Sequence, residues 1–147
     1  MGAPVRLAPI DVAAPVADVL AFFADPTRRP EWQSSLRRVD AVTGADGVGQ
    51  SWTDVTVVPG VRPRMETTEL EEPTAADGSG RWTERGRFGP YSAELTLEVV
   101  PTATGSRATP VVRIDGPLAL VVRRVAPVAI RGDLRRAARA IEVATNP

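Results

Sequence analysis

Apolar side chains recur along this chain with changing period, and each change marks the border of an element. From Val5 to Val12 a run rich in β-branched residues, closed by Ala13, Ala14 and Pro15, predicts a first strand. Helical spacing follows in PVADVLAFFAD, where Val16, Val19, Leu20 and Phe23 share one face, proline sits near the first turn and Asp25-Pro26 ends the run. A second short helix is expected over TRRPEWQSSL, capped by Thr27, with Pro30 still within its first turn. The two helices are expected to form a V.

From Arg37 the period falls to two. RVDAVT, QSWTDVTVV, RMETTELEE, RWTERGRF, YSAELTLEVV and RATPVVRID are separated by Gly- and Pro-rich turns and read as a meander of antiparallel strands. Pro110 inside the last of them implies an edge or a bulge there. From Pro117 to about Ala144 the helical period returns: Leu118, Val121, Val122, Val125, Ala126, Ile130, Leu134, Ala137 and Ile141 make one stripe, and Pro127 should kink it. The economical packing of these elements is an α+β domain spanning residues 1–147, with a curved sheet of about seven strands wrapped around the last helix and the two short helices after the first strand. A curved sheet cannot lie flush along a whole helix, so a cavity is expected between them.

The stretches APVADVLAFFADPTRRPEW, TELEEP and VRRVAPVAIRGDLRRAARAIE resemble the signatures of the START-related polyketide cyclase/dehydrase superfamily, known as SRPBCC, over nearly the whole chain. The resemblance implies the helix-grip, birch-pollen-allergen-like fold and a hydrophobic ligand cavity. It also implies functions ranging from polyketide aromatase and cyclase to lipid and hormone binder. In polyketide aromatase/cyclases an aromatic-x-Ser-x-Arg arrangement lies on a cavity strand; the matching strand here, RMETTELEE, offers Thr67 and Glu69 but no arginine.

Strand alternation nominates the side chains that face the cavity. On YSAELTLEVV, Tyr91, Ala93, Leu95, Leu97 and Val99 share the inward face; on RWTERGRF the inward set is Trp82, Glu84, Gly86 and Phe88. An acid inside an apolar cavity has its charged form disfavoured, which makes Glu84 a candidate general acid or base. The alternatives are an internal ion pair with an arginine such as Arg64 or Arg113, or a register that turns Glu84 outward. QSWTDVTVV allows two registers, with either Trp52, Asp54 and Thr56 or Thr53, Val55 and Val57 inside; the first would set Asp54 beside Glu84, two carboxylates able to divide acid and base roles. On RPRMETTELEE, Leu70 points to Arg64, Glu66 and Thr68 as the inner set, placed to hold a ligand oxygen or to neutralise one another. Tyr91 would add a phenol. Trp32 either lines the mouth or anchors the second helix, and Trp52, Trp82, Leu95, Val122 and Ile130 complete the expected lining.

Composition narrows the chemistry. The 147 residues include no histidine and no cysteine, which excludes Ser-His-Asp and Cys-His catalysis, imidazole- or thiolate-bound metal and disulfides. Proton transfer falls to carboxylates, Tyr91, arginine or water, with no cofactor expected. Basic and acidic residues balance at 18 each, so no nucleic-acid partner is expected, and the arginines of the last helix read as a solvated face. No run approaches the ~18 apolar residues of a membrane span. The expectation is a cytoplasmic monomer or homodimer of secondary metabolism with a small hydrophobic molecule as partner: a cofactor-independent cyclase/dehydratase for a polyketide-like or other hydrophobic metabolite, or else a binding, transport or resistance protein.

Overall fold

The computed structural model describes residues 2–74, 76–117 and 119–146, without the side chain of Val121. Eight strands form one antiparallel sheet: β1 (Val5–Arg6), β2 (Ile10–Val12), β3 (Leu36–Thr43), β4 (Ser51–Thr56), β5 (Arg64–Glu71), β6 (Gly80–Phe88), β7 (Tyr91–Thr102) and β8 (Gly105–Asp115). Helix α1 (Val16–Ala24) and a 3-10 helix (Pro26–Glu31) connect β2 to β3, and α2 (Ala119–Thr145) follows the sheet. The strand order β1-β8-β7-β6-β5-β4-β3, with β2 also on β8, places β2 and β3 toward opposite edges. The chain therefore crosses the sheet once through α1 and then meanders back strand by strand. This is the helix-grip fold.

The expected first strand is two, because Pro9 cannot donate to a ladder. The break faces Pro110 of β8. Residues of an antiparallel strand aim N and O at the same neighbour, and Pro110 O accepts from Leu7 N at 2.9 Å, so its missing donor faces the gap between β1 and β2. Proline is tolerated there without an edge. The second short helix is a 3-10 helix, and its cap is Asp25 rather than Thr27: Asp25 Oδ1 accepts from Thr27 N at 2.9 Å and from Thr27 Oγ1 at 2.7 Å.

The core lies between the sheet and α1, the 3-10 helix and the C-terminal half of α2. Val19, Leu20, Phe23, Trp32, Trp82, Leu97, Val99, Leu134, Ala137 and Ile141 are buried there. Phe23 is its hub, with its ring 5.1 Å edge-on from Trp32 and stacked 5.8 Å from Trp82. The helical stripe does not pack along its whole length. Leu134, Ala137 and Ile141 are buried, but Val125 is 62% exposed and Val122 is 36% exposed. Leu118 and the Val121 side chain, both expected on that stripe, lie outside the described residues. Pro127 lies inside α2 without ending it. On the other face of the sheet, arginine–carboxylate pairs such as Arg85–Glu94 at 2.9 Å sit in water, where each contributes little.

Gly80 begins β6 directly under α1. A Cβ there would stand 2.6 Å from the Glu71 carbonyl oxygen and press on Leu20 Cδ1. Gly80→Val is expected to destabilise the fold by about 1–3 kcal/mol through overpacking. Urea denaturation measures it, and an unchanged midpoint would show that α1 can lift away at no cost.

Candidate active site

A 3-10 helix has three residues per turn, so Arg29 and Trp32 share one face. Packing of Trp32 on Phe23 turns that face inward and carries the Arg29 side chain out of solvent entirely. The guanidinium meets two carboxylates from the sheet. Its Nε and Nη2 donate to Asp54 Oδ1 and Oδ2 at 3.1 and 2.9 Å, and its Nη1 donates to Glu84 Oε2. Nη2 also donates to Gln33 Oε1 at 2.7 Å. The cation lies 5.1 Å from the Trp52 ring centroid and 5.4 Å from that of Trp32, and Trp52 Nε1 donates to Asp54 Oδ1 at 3.0 Å.

The two carboxylates are not equivalent. Asp54 accepts three hydrogen bonds, from Arg29 and Trp52, and both of its oxygens are engaged. Glu84 accepts from Arg29 through Oε2, while Oε1 takes no hydrogen bond among the described residues. Burial pushes the Glu84 carboxyl above its ordinary value; Arg29 opposes that shift and the Asp54 charge adds to it. Burial disfavours the Arg29 cation, but the Glu84 and Asp54 charges outweigh burial and hold its pKa above the ordinary value. One guanidinium facing two carboxylates leaves one negative charge over, and Glu84 is the member placed to take up a proton.

Asp54 and Glu84 form part of the wall of a cavity of about 470 Å³ between the sheet and the N-terminal half of α2. Met65, Gly86, Phe88, Tyr91, Ala93, Leu95, Val112 and Ile114 line it from the strands, Val122, Ala126 and Ile130 from α2, and Trp32 and Gln33 from the 3-10 segment. The α2 residues that leave the core thus roof a cavity instead. Asp133 is also on the wall, with Oδ1 accepting from Ser34 N at 3.1 Å.

The structure brings Glu84, Asp54, Tyr91, Trp32, Leu95, Val122 and Ile130 together around one cavity. Trp52 and Asp54 face inward, which selects the first of the two β4 registers; Val57 is 47% exposed. Four expected lining residues lie elsewhere. Trp52 is buried against Arg29 behind the wall, and Trp82 is buried against Phe23 in the core. Arg64 and Glu66 are on the outer face, where Arg64 Nη2 donates to Ser51 Oγ at 2.8 Å. The cause is a bulge in β5: pairing passes from Thr67↔Glu84 to Glu69↔Thr83, so Met65, Thr67 and Leu70 face the same way. Leu70 therefore misreports the face of every residue before the bulge. Glu84 does pair internally, with neither Arg64 nor Arg113 but with Arg29. That arginine was hidden by the abundance of arginine; its three-residue spacing to Trp32 was the available signal.

Among the described residues no group of three acidic, histidine or cysteine side chains is placed to hold a metal ion, and no helix is long and apolar enough to cross a membrane.

A sheet gripping a long helix around an internal cavity defines a START-related, helix-grip protein. Residues 8–144 match the family described as polyketide cyclase / dehydrase and lipid transport, and the chain belongs to it. No curated protein matches the sequence. Among solved structures, the protein TTHA0849 from Thermus thermophilus is similar with a TM-score of 0.71 at 16% identity, over 99% of this chain and 100% of that one. The di-domain ARO/CYC StfQ from the steffimycin biosynthetic pathway gives 0.73 at 14% identity, over 98% of this chain and 52% of that one. Norcoclaurine synthase from Thalictrum flavum, in complex with dopamine and hydroxybenzaldehyde, gives 0.65 at 18% identity, over 99% and 87%. At these identities the likeness is one of fold.

Removing the buried cation leaves two carboxylates without their partner. Arg29→Met is expected to cost about 3–5 kcal/mol in urea denaturation, with part of the loss recovered by adding Glu84→Gln. A loss below about 1 kcal/mol would mean that water reaches the cluster. The pH dependence has a definite sign. Because its pKa is raised on folding, the stability contributed by Glu84 is present below its ordinary value of 4.5 and lost as pH rises through the raised value. The melting temperature of Glu84→Gln should therefore gain on the wild type as pH rises above about 4.5. A difference that stays constant with pH would contradict the shift.

Proposed function

We propose that this chain is a cofactor-independent enzyme that closes a ring in, or removes water from, a polyketide-like or other hydrophobic metabolite held in the cavity. The observation that carries the reading is the state of Glu84: one oxygen held by Arg29, the other open to an apolar cavity, with a pKa raised by burial. Glu84 is the group that moves the proton. Asp54, engaged at both oxygens, fixes Arg29 and through it the Glu84 carboxyl, and Tyr91 supplies a phenol on the same wall. The family's description and the ARO/CYC neighbour from a biosynthetic pathway support cyclase or dehydratase chemistry. On this reading the whole chain works as one domain, a monomer or homodimer, in the cytoplasm as part of secondary metabolism.

The mainly hydrocarbon wall favours a second reading, in which the protein binds or sequesters a hydrophobic molecule without converting it. Trp32 on the wall would then report binding by quenched emission with no product formed.

Incubation with hydrophobic poly-ketone, hydroxyl- and epoxide-bearing substrates, followed by mass spectrometry, separates the two. The enzyme reading expects turnover that falls about a hundredfold or more in Glu84→Gln while the fold is kept. Equal turnover in wild type, Glu84→Gln and Asp54→Asn overturns the assignment of proton transfer to this cluster.

A further inference from the structure

We infer that the end of the molecule where the cavity opens docks on an anionic lipid surface, so that a hydrophobic ligand passes between bilayer and cavity without crossing water. Such a face serves either reading of the cavity. Antiparallel pairing brings three parts of the chain to this end: the β4–β5 turn over residues 57–63, the β6–β7 turn at Gly89-Pro90, and the end of β8 with the start of α2. Phe88 and Val122 line the cavity and are themselves exposed, so the cavity reaches the surface between them. Val57 and Val58 at the tip of the β4–β5 turn are exposed as well, and Leu120 in the first turn of α2 is 76% exposed. Single exposed apolar side chains are ordinary; several from separate segments around one opening mark a contact surface.

Charge at this end has one sign. Residues 57–63, 86–92 and 116–132 hold Arg62, Arg87, Arg123, Arg124 and Arg131 and no aspartate or glutamate. The whole chain balances 18 basic against 18 acidic residues, so without these five the remainder carries 13 against 18. Elsewhere on the surface arginines pair with carboxylates, as Arg6 does with Glu98, Arg85 with Glu94 and Arg107 with Asp11. Arg62, Arg87 and Arg124 are exposed and, among the described residues, form no ion pair. Asp115, at the end of β8, accepts from Gly2 N. Aliphatic side chains on protruding turns enter a lipid interface without needing a complementary groove, and the guanidinium groups beside them meet headgroup phosphates. No membrane-spanning helix is required.

Sedimentation of the intact protein with vesicles of phosphatidylcholine, with and without phosphatidylglycerol, tests this. The expected result is binding about tenfold or more tighter to the phosphatidylglycerol vesicles, weakening as salt rises. Arg62→Gln combined with Arg124→Gln should weaken it about tenfold. Val58→Asp combined with Leu120→Asp, both outside the core and the cavity wall, should abolish it with an unchanged urea midpoint. The comparison of lipids and salts in the wild type stands as a test even if a variant does not fold. Equal binding to both kinds of vesicle, or full binding by the Val58→Asp, Leu120→Asp variant, overturns the inference. Failure to bind either vesicle also overturns it, and leaves the arginines to an acidic protein partner.

Discussion

The buried contact of Arg29 with Asp54 and Glu84 is the interaction on which the rest of this structure depends. It ties the 3-10 segment to two strands that are not neighbours, since β5 runs between β4 and β6. Ion pairs in water contribute little, and a pair taken out of water is stable only when its geometry is good and its remaining donors are met. Here the guanidinium donates to both carboxylates and to Gln33 and lies over the rings of Trp32 and Trp52. The surplus carboxylate then becomes useful, because a chain without histidine has few other ways to bring a titrating group to an apolar surface.

Packing decides where that surplus is felt. The C-terminal half of α2 is buried in the core, while Val122, Ala126 and Ile130 in its first half face open volume. The helix stripe thus has two uses along its length, cohesion at one end and enclosure at the other. A ligand in the cavity would touch the half of the helix that holds the fold together least.

Much of this was legible in the sequence. Period-two alternation put Glu84 and Tyr91 on the correct face, because β6 and β7 pair without interruption from Gly80↔Val99 to Phe88↔Tyr91. Alternation failed on β5, where one extra residue after Thr67 reverses the faces, and no glycine or proline marks the bulge. Arg29 was illegible for a different reason. Its neighbour Arg28 pairs with Glu31 at the surface, and nothing in a run of two arginines says which one is buried until the three-residue turn and Trp32 are considered together. The extent of the packed stripe on α2 depends on how far the sheet follows the helix, a property of long-range shape that local pattern does not carry.

The pairing of β1 and β2 with β8 bears on the order in which the molecule can assemble. Val5 lies opposite Val112 and Val12 opposite Ser106, so this seam joins residues 107 and 94 positions apart, whereas Arg29 lies only 25 residues from Asp54 and 55 from Glu84. Closing long loops is entropically costly and comes late. During synthesis the ionic cluster and the meander from β3 to β6 can form while Val5–Val12 still waits for its partner strand. A nascent chain would therefore carry the ionic cluster before β7, β8 and α2 have closed the cavity, with β6 as an unpaired sheet edge where a growing copy is most exposed to mispairing with another.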